Sequence, residues 1–288
     1  MGEPQRKTPN SRRNLDMAIQ RAYGVGTSLA EARKLMANVV AGQFLPEGVV
    51  KGGSSIRLRY GKAATRFTLD LDTAWKTDLD TFLSAMKARA HDGWAGFTGE
   101  IIPRKPASPR GVPFDYVMQP FDIKLSYRGQ SWCTVELEVG YNEIGDADEA
   151  EMVPLADDIA EMFARVGLPK PSPLPLMSIE YQIAQKLHGM TSPRANRPHD
   201  LTDIQVIVAN SKIDMAKLRG ICTRLFSYRR QQAWPPKLQI LEGWRATYDE
   251  WRDLAAVKPT LEEAVNWVNE FISEIDNYPL SNSNATMP

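Results

Sequence analysis

The sequence predicts an α+β fold, a mixed sheet flanked by helices and followed by a mainly helical domain. Two patterns predict it. Between residues 67 and 139 apolar and polar side chains alternate in short runs, the two-residue period of half-buried strands. Beyond a proline cluster at Pro169 to Pro175 apolar residues recur at the three-to-four spacing of helices. With 43% apolar residues in 288, the chain can bury a substantial core, and its length suits two domains. These are expected at 14–168 and 169–278, between a basic tail at 1–13 and a Ser/Asn-rich tail at 279–288, both lacking the periodicity of ordered segments.

Along the first domain, Ser28 and Glu31 form a capping box, and Leu29, Ala32, Leu35, Met36 and Val39 set a helix to about Ala41. A short strand (Val49, Val50, Lys51), a glycine turn (Gly52-Gly53-Ser54-Ser55) and a helical turn (Ile56 to Tyr60) follow. The strand Phe67 to Asp72 should turn Phe67, Leu69 and Leu71 inward and Thr68, Asp70 and Asp72 outward. Thr77 with Asp80 begins a helix to Ala90, and a loop around Pro103 to Pro113 leads to a hairpin of Phe121 to Tyr127 and Trp132 to Val139. The second hairpin strand sets Thr134, Glu136 and Glu138 on its polar face. In the second domain Ser178 caps a helix with Ile179, Ile183, Leu187 and Met190 inward, Pro198 starts another with Leu201, Ile204 and Val208 inward, and helices cover much of 214–275.

The 35 basic and 35 acidic side chains cancel, which argues against a DNA-coating protein or a polybasic membrane binder. The cancellation conceals a division. Residues 136–161 hold ten acids and no base, as a solvated surface or one that docks an antagonist, whereas residues 210–258 hold ten bases against five acids among six aromatic residues. No apolar run reaches the length of a membrane span, and neither a secretory signal nor a myristoylation pattern opens the chain, so a cytoplasmic protein is expected. Two cysteines and three histidines supply no disulfide framework or thiolate zinc site, so any metal must be held by carboxylates.

The chemistry concentrates in Gly52-Gly53-Ser54, Asp70-Leu71-Asp72 and a third strand carboxylate, Glu136 or Glu138. Two aspartates two apart on a strand share one face and suit hard cations, with Mg²⁺ favoured and Mn²⁺ the alternative. Two such ions can activate a hydroxyl and stabilise departing pyrophosphate, given a third carboxylate from a neighbouring strand. Glycines at a helix start let backbone N–H groups approach a phosphate, and Ser54 adds a hydroxyl there. Alone, a double glycine is an ordinary turn and an Asp-x-Asp an ordinary strand end.

In combination, strand, Gly-Gly-Ser, helical turn and Asp-x-Asp resemble the nucleotidyltransferase fold of polymerase beta-like enzymes. Lys51-Gly52-Gly53-Ser54-Ser55, Arg66 to Asp72, Ala184-Gln185-Lys186-Leu187-His188 and Arg197 to Asp203 further resemble, in order, the AbiEii family of nucleotidyltransferase toxins. The resemblance implies a toxin of a bacterial toxin–antitoxin or phage-defence pair that transfers nucleotides from an NTP to the 3′ end of tRNA. It places Gly52, Gly53, Ser54 and Arg66 at the NTP phosphates and Asp70, Asp72 and Glu138 at metal. It adds Lys186 and Asp200 from the second domain as catalytic residues, with Lys186 also at the nucleotide. It also implies Thr68 as a regulatory phosphorylation site and a cognate antitoxin as partner. Two departures stand out: Glu136 occupies a position that is commonly basic, and His199 one where Arg or Lys is usual. Two other functions fit the same fold, a small-molecule nucleotidyltransferase and a catalytically silent protein that binds RNA or an antitoxin.

Overall fold

The computed structural model describes residues 7–68, 70–75, 78–107, 117–193 and 196–279. It divides into two compact units, residues 1–62 with 66–177, and residues 63–65 with 178–288.

The first unit contains α1 (Arg12–Tyr23), α2 (Thr27–Gln43), β1 (Gly48–Val50), α3 (Gly52–Tyr60), β2 (Leu71–Trp75), α4 (Leu79–Asp92), β3 (Phe97–Pro103), β4 (Gln119–Tyr127), β5 (Gln130–Gly140), β6 (Glu151–Val153), α5 (Asp157–Arg165) and β7 (Leu174–Leu176). Among the described residues its strands form one sheet in the order β3-β4-β5-β2-β1-β7-β6, in which β2–β5 and β1–β7 pair parallel and the other neighbours antiparallel. The inward side chains of β4 and β5, among them Ile123, Leu125, Val135, Leu137 and Val139, join Leu35, Met36 and Val39 of α2 and Phe163 of α5 in a continuous core.

The second unit is helical, with α6 (Ile179–Thr191), α7 (Pro198–Asn210), α8 (Met215–Arg229), α9 (Trp244–Asp249) and α10 (Leu261–Asn277). Helix α6 packs on α7 and α8, and α10 on α7, α8 and α9. Trp244 and Tyr248 are wholly buried and Phe226 nearly so, which makes three of the six aromatic residues of the basic segment core.

Several elements depart from the sequence reading. The strand expected at Phe67 begins only at Leu71. Backbone acceptors ahead of it are taken by side chains of α3: Arg57 donates to the Arg66 carbonyl (3.0 Å) and Ser54 to that of Asp70. Phe67 is half-buried beneath the Arg57 guanidinium, and Leu69 lies outside the described residues. The helix α2 starts at Thr27 after Gly26, ahead of the supposed Ser28 cap. Asp78 caps α4 by accepting from the Thr81 N–H, while Thr77 lies outside the described residues.

The stretch expected to fray before residue 14 already contains Pro9, whose carbonyl accepts from the Tyr127 hydroxyl (2.5 Å), and the start of α1, capped by Ser11. Residues 1–6 and most of the expected tail, 280–288, lie outside the described residues. Strands β3, β6 and β7 were not foreseen. The first is a sheet edge that contains Gly99 and ends in Pro103, and the other two are three residues long.

Candidate active site

The glycine segment is the first turn of α3. Gly52 adopts φ +66°, the left-handed region, and a Cβ there would lie 2.2 Å from Asp72 Oδ2, so only glycine lets the backbone pass the carboxylate. The Lys51 N–H donates to the Asp72 carbonyl (2.8 Å), tying the helix start to β2. Lys51 provides no side-chain cap, which leaves first-turn N–H groups to meet an anion. A Cβ on Gly53 would lie 2.9 Å from a guanidinium nitrogen of Arg66 and 3.3 Å from Thr68 Oγ1, so both side chains stand over this turn. Ser54 is buried, and its hydroxyl is directed to the Asp70 backbone rather than outward. Arg57, also buried, lies over the Phe67 ring at 5.2 Å and has its pKa lowered by that burial.

The acids come from β2 and β5. These strands pair in parallel with Leu71 opposite Leu137, Asp72 opposite Glu138 and Thr73 opposite Val139. Leu71, Leu137, Thr73 and Val139 are buried, so Asp72 and Glu138 stand side by side on the other face, on strands about 4.8 Å apart. Asp70, exposed, immediately precedes β2. Partial burial and then the charges of Asp72 and Asp70 raise the Glu138 pKa, while Arg104 and Lys51 pull it back. Glu136 is engaged elsewhere: Arg104 reaches its Oε2 at 3.0 Å and Asp122 Oδ1 at 3.5 Å.

Among the described residues no three His, Cys, Asp or Glu side chains are already grouped as a metal cage. The donor chemistry nevertheless fits a hard divalent cation. Carboxylate oxygens project from adjacent strands, and the burial and mutual repulsion that together raise Glu138 are what a bound cation offsets.

The second unit holds a separate charged cluster. Lys186, buried on α6, donates to Asp200 Oδ1 (2.8 Å) and Asp203 Oδ2 (2.7 Å). Asp200 and Asp203 are three apart on α7, which brings both carboxylates to one side. Arg197 Nε lies 2.7 Å from Asp200 Oδ2, and His199 Nε2 3.8 Å from Oδ1. Nearby, the buried His188 ring meets Phe226 edge-on at 4.8 Å and Arg229 at 3.2 Å. Burial, then Arg229 and Arg197, push its pKa down to about 4.

A family model described as nucleotidyl transferase AbiEii toxin, type IV toxin–antitoxin system, matches residues 34–268. The chain belongs to the AbiEii family. It is a nucleotidyltransferase toxin of that type. The AbiEii chain shares its fold with the nucleotidyltransferase toxin MenT4 of Mycobacterium tuberculosis, at 16% identity and a TM-score of 0.53 over 92% of this chain and 90% of that one. JHP933 of Helicobacter pylori aligns at 16% identity and a TM-score of 0.44, over 88% of this chain and 94% of that one. No curated protein matches the sequence.

In this AbiEii toxin the first unit gathers Gly52, Gly53, Arg66, Thr68, Asp70, Asp72 and Glu138 at one end of β2 and β5, and the second unit joins Lys186 to Asp200. Sequence reasoning gave no role to Lys51, Arg104 or Asp203. A Cβ on Gly140 would lie 2.6 Å from Lys51 Nζ, so this ammonium lies across the end of β5 beside Glu138. Asp203 had a legible signal, the three-residue spacing from Asp200. Arg104 had none, because its partners come from other strands.

Proposed function

We propose that this AbiEii toxin transfers nucleotides from an NTP to the 3′ end of tRNA by a two-metal reaction in the bacterial cytoplasm. Translation stops, and a cognate antitoxin restrains the enzyme, in the manner of a phage-defence pair. The observation that carries the reading is the placement of Asp72 beside Glu138, with Asp70 next to them, against a glycine turn that a side chain at position 52 would block.

Mg²⁺, with Mn²⁺ the alternative, would be held by Asp70, Asp72 and Glu138, and supplies activation of the acceptor hydroxyl together with charge neutralisation at the departing pyrophosphate. The chain's own groups do the rest. N–H groups at Gly52 and Gly53 receive triphosphate oxygens, and Arg66, over the same turn, adds positive charge. Ser54 acts through the backbone of Asp70, whose position it fixes. Lys186 and Asp200 enter by family resemblance, Lys186 toward phosphate charge and Asp200 as the acid that orients it. Phosphorylation of Thr68, whose hydroxyl stands over Gly53, places negative charge where the triphosphate belongs and silences transfer. The net charge of +5 over 210–258 favours an RNA acceptor over a small cationic molecule.

Incubation with tRNA and each labelled NTP in turn tests the reading. Extension of the 3′ end with at least one NTP, lost in Asp70→Ala, is expected. Failure with all four beside an active control enzyme overturns it. Toxicity that survives Asp70→Ala supports a binding protein without catalysis.

A further inference from the structure

We infer that the first unit carries a second RNA-binding surface, a basic groove remote from the carboxylates that holds the phosphate backbone of a structured RNA. The groove, of about 1630 Å³, is lined by Lys7, Arg21, Arg128, Arg165 and Lys170 with Glu161 as its single acid. Glu161 is engaged by Arg165 at 3.4 Å. Lys7, Arg21, Arg128 and Lys170 are all exposed and have no carboxylate within ion-pair distance among the described residues. The cleft continues along α1 past Asn10 and Asn14, where the Asn14 amide donates to Asn10 Oδ1 (2.5 Å).

Helix dipoles account for Arg21 and Arg165, each in the last turn of its helix, but not for the others. Lys7 and Lys170 lie outside the helices and strands. The segment bearing Lys7 is pinned to the sheet by the Tyr127–Pro9 hydrogen bond. Arg128 adopts φ +52° in the two-residue turn between β4 and β5, where Asn or Gly is usual and a Cβ costs about 1–2 kcal/mol. Its guanidinium lies over the Tyr127 ring at 6.0 Å, and the residue lines the groove.

The lining favours a nucleic acid over a protein. Docking of a protein requires an apolar centre, and none of the exposed large apolar side chains lines this groove. Exposed cations, four of them without a carboxylate partner among the described residues, on a concave surface are what a phosphate backbone meets. From the Arg128 turn to Glu138, β5 extends roughly 30 Å at about 3.4 Å per residue. One structured RNA can span that distance, whereas a short acceptor fragment cannot.

This inference extends the proposed tRNA acceptor but is tested without transfer. Labelled unfractionated tRNA is titrated with full-length wild type and with Arg21→Gln/Arg128→Asn/Lys170→Gln across roughly 50 to 200 mM salt, with polyglutamate as a second probe. The triple variant should bind tRNA at least tenfold more weakly at about 100 mM salt, with a log–log salt slope shallower by about 2, as expected for three lost phosphate contacts. Its melting temperature should stay close to that of wild type. If it does not, Lys7→Gln/Lys170→Gln, altered only outside helices and strands, is compared instead, with a slope change of about 1.5 expected. Unchanged slope and affinity in a folded variant, or no tRNA binding by wild type, overturns the inference. So does equal affinity for polyglutamate that the variant loses, which assigns the groove to an acidic protein. Where wild type extends tRNA, the variant should lose extension of the full molecule while extending a short acceptor oligonucleotide as wild type does. Where wild type extends nothing, the tRNA titration still decides the groove.

Discussion

Asp72 and Glu138 are register partners on parallel strands β2 and β5, two like charges side by side on one face of the sheet. Such a pair opposes folding unless a cation lies between them. Like charges on neighbouring strands cost about 0.2–1 kcal/mol. Metal-free Glu138→Gln should therefore melt higher than wild type, by about 1–3 °C, while losing both transfer and magnesium-dependent stabilisation. The sign with pH follows from the raised pKa. Burial and repulsion both penalise Glu138 while it is ionised in the folded protein, and the penalty disappears once both states are protonated, below the ordinary value of 4.5. The gain should thus be present at neutral pH and vanish in acid. Calorimetry with and without Mg²⁺ checks this, and an unchanged response to Mg²⁺ would remove Glu138 from the metal site.

Glu136, two residues away on the same strand face, provides the contrast. Its carboxylate is bound by exposed Arg104, which also reaches Asp122. Exposed pairs contribute about 0–1 kcal/mol. Glu136→Gln should leave transfer within about twofold of wild type and the melting temperature nearly unchanged. Loss of activity comparable with that of Glu138→Gln would reverse the assignment of the third carboxylate.

Gly52 is fixed by two separate constraints, its left-handed φ and the 2.2 Å approach of Asp72 Oδ2 to a Cβ. The conformation alone costs Gly52→Ala about 1–2 kcal/mol, and the clash displaces the carboxylate. Transfer should fall further than stability does. In Asp72→Ala the clash is gone, so Gly52→Ala on that background should cost only the backbone part. A double-mutant cycle by urea unfolding measures the difference, and additive effects would show that the two residues do not touch.

The parts of the site legible in the sequence were those whose spacing is local. Gly-Gly-Ser at a helix start, aspartates two apart and an alternating hairpin strand each follow from a short period of the chain. Spacing alone did not tell Glu138 from Glu136 as the partner of Asp72; only the family resemblance favoured Glu138. A one-residue change of register exchanges strand faces, and a two-residue change exchanges the two glutamates, while neither alters the sequence pattern. The strand drawn from Phe67 failed for a related reason. Its alternation was real, but Arg57 and Ser54 from α3 occupy carbonyls that a neighbouring strand would otherwise bind. Strand β3 was hidden by Gly99 and Pro103, which an edge tolerates and a central strand does not.

His188 ties stability to pH in the opposite sense from Glu138. The groups facing it are Arg229 and Arg197, both cationic, with Phe226 against the ring, and its pKa is lowered from 6.5 to about 4. The folded protein keeps the ring neutral where the unfolded chain protonates it. Its contribution is full above about 6.5 and declines as pH falls toward 4, with a slope of at most about 1.4 kcal/mol per pH unit. Urea unfolding at steps from pH 7 to 4 should show this limb, and His188→Gln should flatten it. An identical profile in that variant would assign the limb to other groups.

Lys186 is both a candidate catalytic group and the cation that balances two buried acids, and single substitutions confound the two roles. Lys186→Met leaves Asp200 and Asp203 buried without the ammonium that donates to both, which should cost about 3–5 kcal/mol. Transfer should be lost, but misfolding alone could explain that loss. Lys186→Met/Asp200→Asn/Asp203→Asn separates the roles by removing the uncompensated acids together with the ammonium. Replacing a whole buried ion cluster with neutral groups of similar size is frequently neutral, so urea unfolding should show most of the stability restored. If Lys186 neutralises phosphate charge and Asp200 orients it, the restored protein still transfers no nucleotide. Recovery of transfer together with stability would make the cluster a structural device and return the chemistry to the first unit alone.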